Sequence, residues 1–419
     1  MSNQAGNNGV LFGDINMRGD ALKTLGFTGD LNTYKPASGS ASRADIAVTD
    51  PDFKYPNLLK TNFAVDYKFG DGWIATAELL YSKDLNSIYH DNIGLYMTDS
   101  YVNDGGYNAQ ARPFYNGYYS DQPGNQKAAN NVVMLRNTNK GHSLYTTLQL
   151  QKTFNDGILK GLYLNGSYSF GQSKSVSDGS SSVATSAWKY RPALNSNAEE
   201  LGYSAGSFDG RFLFSASYTA NWSKYAATSI GLIYERFRPF RYSYCYSGDA
   251  NGDTQSSNDL MYIPKDFSEV KDHLDATGFA SQDAAWAAMD QFISQDPYLK
   301  NHRGEYAERN GALAPFANQL DLSLSHDIKV FQNNGRFHTL RFSFNVSNFL
   351  NLLNKDWGVQ RTTVLGSQQY QFLTVTQKPS AKNNYTLKYK MRTSLDETFQ
   401  DNIGTDSRWQ MQFGIKYIF

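Results

Sequence analysis

The side chains best suited to chemistry stand in one short stretch, Asp249-Ala-Asn251-Gly-Asp253, followed by Asn258-Asp259. Asp, Asn and Asp at alternate positions put three oxygen donors on one turn of chain, the opening of a loop that wraps a hard cation such as Ca²⁺. The pattern is incomplete. Thr254 occupies the sixth position, where a helix-loop-helix calcium loop carries Gly, and no Glu stands at the twelfth. An Asp/Asn/Gly-rich turn has the same letters without a metal. Asp249, Asn251, Asp253 and Asp259 are therefore candidate calcium ligands, and no other cofactor is expected.

Other chemistry is thin. His326 stands beside Asp327, and His142 beside Ser143, but there is no Gly-x-Ser-x-Gly elbow for a serine nucleophile. His90, His273, His302 and His338 lack zinc spacing, and a single cysteine, Cys245, excludes an internal disulfide and any cluster of thiolates. An enzyme is not expected. With 39 basic and 39 acidic residues the chain has no net charge to offer a polyelectrolyte, so no nucleic-acid partner is expected. Aromatic residues crowd two polar segments: Tyr107, Phe114, Tyr115, Tyr118 and Tyr119, then Trp188 and Tyr190. Rings with polar tips serve equally to bind a solute or to pack loops together. Tyr107, Tyr115, Tyr118, Tyr119 and Trp188 are the candidate ligand-binding residues.

These groups need a frame, and the hydrophobic pattern supplies it. In the last thirteen residues Trp409, Met411, Phe413, Ile415, Tyr417 and Phe419 share one face of an extended strand, while Gln410, Gln412, Gly414 and Lys416 share the other. The same alternation recurs over 58–69, 73–88, 141–154, 160–174, 209–222, 226–244, 317–330 and 338–350, giving nine strands. They are joined alternately by short turns (70–72, 155–160, 223–225, 331–337) and long segments (90–140, 175–208, 246–316, 351–406). Within the third long segment Ser281 can cap a helix carrying Trp286, Met289 and Ile293 on one stripe and ending at Pro297. Residues 1–57 are polar and read as loop.

Mean hydropathy is −0.55, and no run of about 18 apolar residues exists to form a membrane helix. Long strands with one apolar and one polar face, and connections sorted by length, are instead the signature of an outer-membrane barrel with short periplasmic turns and long extracellular loops. The expected fold class is all-β: an antiparallel transmembrane β-barrel segment with long extracellular loops, residues 1–57 being one of them. Its lumen would carry Lys60, Asp66, Glu78, Glu235, Asp321 and Arg341, as a solvated wall or as contacts to a plug or solute. Single-chain bacterial barrels have even strand numbers. Nine strands, with no signal peptide in residues 1–20, lead us to expect part of a longer protein. A soluble β-rich surface protein is the alternative frame.

Several stretches carry a family resemblance. They are residues 62–84 with their Leu-Tyr-Ser-Lys-Asp ending, Tyr246-Ser-Gly-Asp-Ala-Asn-Gly-Asp through Asn258-Asp-Leu-Met-Tyr-Ile-Pro264, Arg303-Gly-Glu-Tyr-Ala-Glu-Arg-Asn310, Asn345-Val-Ser-Asn-Phe-Leu-Asn-Leu-Leu-Asn354, and the terminal strand. In this order they resemble the C-terminal barrel portion of TonB-dependent receptors, the Oar-like group common in Bacteroidetes. The resemblance implies about nine strands of a 22-stranded barrel in the bacterial cell outer membrane. It also implies uptake of a peptide, protein or glycan fragment by that barrel. Trp409, Phe413, Tyr417 and Phe419 would be the signal read by the barrel-assembly machinery, and outer-membrane lipid would be the surrounding partner. The family's TonB box, plug domain and N-terminal regulatory-like domain have no counterpart in this sequence, so TonB would act only through that further portion. A plug-less passive porin or an adhesin-like barrel is the alternative function.

Overall fold

Strands whose side chains alternate apolar and polar pair most favourably when like faces align, and that alignment builds the main sheet. In the computed structural model, residues 45–106, 111–125, 129–333, 336–366 and 368–419 are described. Tyr107, residues 1–44 of the expected N-terminal loop, and residues 334–335 of the fourth short turn lie outside them. Strands make up half of the structure, so the fold is all-β, and no helix among the described residues is long and apolar enough to cross a membrane.

Nine strands form one antiparallel meander: β1 (Asn57–Lys68), β2 (Trp73–Asn92), β3 (His142–Thr153), β4 (Leu162–Ser175), β5 (Arg211–Ser223), β6 (Ala226–Phe237), β7 (Ala317–Asn333), β8 (Arg336–Ser347) and β9 (Gln410–Ile418). The register keeps one face mostly apolar from edge to edge. Val65, Ala77, Leu148, Tyr168 and Phe212 face one another in a row across β1 to β5. Tyr218, Ile230, Leu324, Phe344 and Phe413 continue the same face across β5 to β9. The opposite face is polar and small, as in the row Ser217, Gly231, Ser323, Asn345 and Gln412. A one-residue slip anywhere would exchange the faces, so the alternation itself fixes the register.

The short connections lie at one end of the sheet. At the first, Gly70, Asp71 and Gly72 all take positive φ, which glycine tolerates and other residues resist. A Cβ on Gly72 would also run into the Thr153 carbonyl. The expected strand over 226–244 stops at Phe237, a correction with a clear cause: Pro239 has no N–H for the ladder. Residues Arg241–Ser247 enter a separate sheet with Ala312–Leu313 and Gln369–Gln377. The last strand begins at Gln410 because residues 405–407 form a 3₁₀ turn. The second runs on to Asn92, its final residues pairing with Val132–Thr138, which in turn pairs with Ile46–Thr49 inside the expected N-terminal loop.

Most unusual is where the core sits. Phe63 is 66% exposed and Phe413 65%, so the described residues leave the sheet's apolar face open. Most buried residues belong to the long connections: the first, third and fourth share a core of Val102, Tyr242, Tyr246, Met261, Tyr370, Phe372, Tyr389 and their neighbours, and the second adds Trp188 to a smaller cluster with Leu95, Tyr115 and Val133. We refer to this unit as the cap. The expected helix is present as α1 (Gln282–Gln295): the Ser281 hydroxyl accepts from the Ala284 N–H, and Ala285, Met289, Phe292 and Ile293 are buried. Phe292 packs against Phe372 with ring centres 4.7 Å apart. Each such side chain contributes about 1.5–3 kcal/mol of burial.

Candidate functional site

The acidic loop forms because its own side chains bond its backbone. Asp249 accepts from the Gly252 N–H (2.7 Å) and the Thr254 N–H (3.2 Å), Asn251 from the Asp253 N–H (2.9 Å), and Asp253 from the Gln255 N–H (2.9 Å). Gly252 has φ +83°, and a Cβ there would strike the Tyr115 carbonyl. The loop is thus held against a neighbouring segment: the Tyr115 N–H donates to the Asn251 carbonyl (2.7 Å), and the Ala193 N–H to the Asn258 carbonyl (2.9 Å).

Of the four sequence-chosen residues the three Asp come together, while Asn251 spends its side-chain oxygen on the Asp253 N–H. Asp249, Asn251, Asp253 and Asp259 are buried, and the three Asp offer carboxylate oxygens within 4.8 Å of one another. Burial, then the charge of Asp249, raises the pKa of Asp253. Burial, then Asp253, raises that of Asp259 further, although Arg112 opposes it. Arg112, which no sequence motif marks, completes the site. Its guanidinium is fully buried and donates to Asp104 (3.1 Å), Asp259 (3.2 Å) and the Leu260 carbonyl. Burial would lower its pKa, but Asp104 and Asp259 outweigh that and hold it above its ordinary value. One of its carboxylate partners, Asp104, stands eight residues away and the other, Asp259, 147 residues away, and no motif joins the three.

The aromatic candidates separate into two kinds. Tyr115 and Trp188 are fully buried and pack with Leu95 and Val133. Neither presents a ring to a solute, which corrects the reading of them as a binding platform. Their polar tips are satisfied inside, Tyr115 on Asn195 (2.7 Å) and Trp188 on Asn197 (3.1 Å), as buried aromatics require. Tyr118 is half-buried with its hydroxyl 2.8 Å from Thr254 Oγ1, while Tyr119 is exposed and packs edge-on to Tyr96. Tyr190, also exposed, borders a polar cleft of about 450 Å³ lined by Ser177, Asp178, Arg191, Arg309 and Gln368. Burial pushes Arg191 down to about 10.

On the polar face of the main sheet the charges pair locally. Arg341 forms a fork on Asp327 (2.6 and 2.7 Å), Arg211 pairs with Glu235, Asn62 donates to Glu78 (2.8 Å), and Asp321 accepts from the Asn348 N–H (2.8 Å). His326, adjacent to Asp327 in sequence, points to the other face and bonds Thr228 Oγ1 at 2.8 Å. The two side chains thus project to opposite faces of the sheet and do not bond each other. Trp409, Phe413, Tyr417 and Phe419 are all exposed at the apolar face or its end.

Comparisons with protein-family models, with curated proteins and with solved structures each found no match.

Proposed function

We propose that this chain is the C-terminal barrel portion of an outer-membrane TonB-dependent receptor, with the cap as its extracellular solute-capture surface. One observation carries the reading: nine consecutive antiparallel strands keep an apolar face open to the surroundings and a polar face opposite, with every short turn at one end. An exposed apolar surface of that extent is a liability in water and an asset in lipid. The free edges of β1 and β9, each paired on one side only among the described residues, require further strands to complete a ring in hydrocarbon. Uptake would follow from a plug displaced by TonB, and the substrate class is a peptide, protein or glycan fragment.

Expression in a bacterium with an outer membrane tests the first part. The protein should sediment with outer membranes after an alkaline wash, need detergent for extraction, and run as a heat-modifiable band. A chain that stays monomeric in buffer without detergent would end the proposal. For uptake, a strain lacking this gene should share with a TonB-deficient strain a growth defect on one class of nutrient. If no such overlap exists, the transport assignment is wrong even where the barrel is right.

A further inference from the structure

Three carboxylates in the cap share one buried site. Oxygens of Asp249, Asp253 and Asp259 lie within 4.8 Å of one another, and these side chains are 6%, 0% and 0% exposed. Their ionic partners are few. Arg112 is divided between Asp259 and Asp104, and Lys378, itself largely exposed, reaches Asp249 at 3.2 Å. Four carboxylates against two cations leave two without an ionic partner, and a buried carboxylate lacking one is costly to ionise even where N–H groups bond it.

A second observation is independent of the charges. Asn258 is 1% exposed, and its amide N–H donates to Asp253 Oδ2 at 3.0 Å. The oxygen of that same planar amide has no hydrogen-bond partner. Buried amide oxygens are nearly always matched by a donor. An unmatched one held against a carboxylate cluster lacks what a cation supplies. We propose that Asp249, Asp253 and Asp259, together with the Asn258 amide oxygen, bind a calcium ion. The donor set is all oxygen, which suits a hard cation and not zinc. It comes irregularly from four positions of one loop, which suits the variable coordination of Ca²⁺ better than the strict octahedron of Mg²⁺.

The ion would act as a staple for the cap. The same loop takes hydrogen bonds from the Tyr115, Gly117 and Ala193 N–H groups, and Lys378 bridges to it from the last long connection. Fixing it therefore fixes all four connections at once. This inference does not rest on the membrane reading, because the cap has its own core.

The test uses the full chain in detergent. Near-ultraviolet circular dichroism follows thermal unfolding of the cap in millimolar calcium and in chelator. Calcium should raise the midpoint by at least about 3 °C, and terbium should give tyrosine-sensitised emission that calcium displaces. Asp253→Asn relieves repulsion but keeps only one acceptor for the Gln255 and Asn258 donors, so its midpoint in chelator is the baseline against which it should show no calcium shift. Asn258→Ala, which keeps every carboxylate, should weaken calcium binding about tenfold or more and remains informative should Asp253→Asn fail to fold. No calcium shift and no saturable terbium signal in the wild type would overturn the site. So would a full calcium response in either variant.

Discussion

Arg112 Nη1 lies 3.2 Å from Asp259 Oδ1, joining two buried side chains that are 147 residues apart in the chain. The same guanidinium holds Asp104 through Nε and the Leu260 carbonyl through Nη2, with the rings of Tyr246 and Tyr306 alongside. Replacing it with Met leaves Asp104 and Asp259 buried without their cation, which costs about 3–5 kcal/mol. Arg112→Lys keeps the charge but cannot reach three partners at once, so it should recover only part of the loss. Denaturant titration of the cap checks both. A Met variant as stable as the wild type would show that the pair carries no net stabilisation.

Asp296 is a second hub. Its Oδ2 accepts from the Tyr244 hydroxyl (2.6 Å) and the Thr398 hydroxyl (2.7 Å), and its Oδ1 from the Tyr298 and Leu299 N–H groups (both 2.9 Å). Asp296→Ala abandons four donors in a buried site and should destabilise the cap by roughly 3 kcal/mol or more. Asp296→Asn should cost about 1 kcal/mol, because its oxygen keeps the two backbone donors and hydroxyls can turn to accept from its NH₂. Equal losses in a thermal melt would place the effect in packing and not in the hydrogen bonds.

The apolar face gives a prediction that depends on what surrounds it. Phe413 pairs with Phe344 in the register of β8 and β9 and is 65% exposed. Facing lipid, Phe413→Arg should cost about 2–4 kcal/mol in vesicle refolding, whereas Gln412→Arg on the opposite face should cost little. Equal costs for the two would remove the lipid from the account.

Glu200 offers a pH signature. Its carboxylate accepts from the Leu194 N–H (2.8 Å) and the Asn195 N–H (2.7 Å). Burial still raises its pKa, outweighing these donors and Arg191. A carboxyl raised on folding adds stability that is complete below its unfolded pKa of about 4.3 and is lost as pH rises through the folded value. Gln cannot titrate and keeps only one acceptor for the two N–H groups, at a cost of about 1–3 kcal/mol. The stability gap between wild type and Glu200→Gln should therefore be widest near pH 4 and narrow above it. A gap that widens with pH would contradict the burial argument.

The nine strands could be read from sequence because each carries its own signal. Alternation in β1 or β9 needs no knowledge of any other segment, and aligned faces then dictate the pairing. The ends were less legible: the break after Phe237 was marked by Pro239, but Tyr242, Tyr244 and Tyr246 continued the period, because they alternate in a different, buried sheet. The acidic loop was found because its donors are local. Arg112, Asp104 and Lys378 carry no such signal: Arg112 and Asp104 stand eight residues apart in no recognisable motif, and their links to the loop, like that of Lys378, span more than a hundred residues. Tyr115 and Trp188 show the same limit. Loop aromatics that build a core and loop aromatics that meet a solute have the same composition, and only packing separates them.

The placement of the core in the connections reverses the usual assignment of rigid and permissive chain. In most folds an insertion is safest in a long loop. Here the long connections are the densely interlocked part, and freedom is concentrated at the tight turns, where Ile158 is 97% exposed between β3 and β4. Sequence drift, protease nicks and grafted peptides should be tolerated at the 155–160 turn, though not at Gly70–Gly72 where the backbone demands glycine, and penalised at the other end of the sheet. The length of a segment is thus a poor guide to how much change it can absorb.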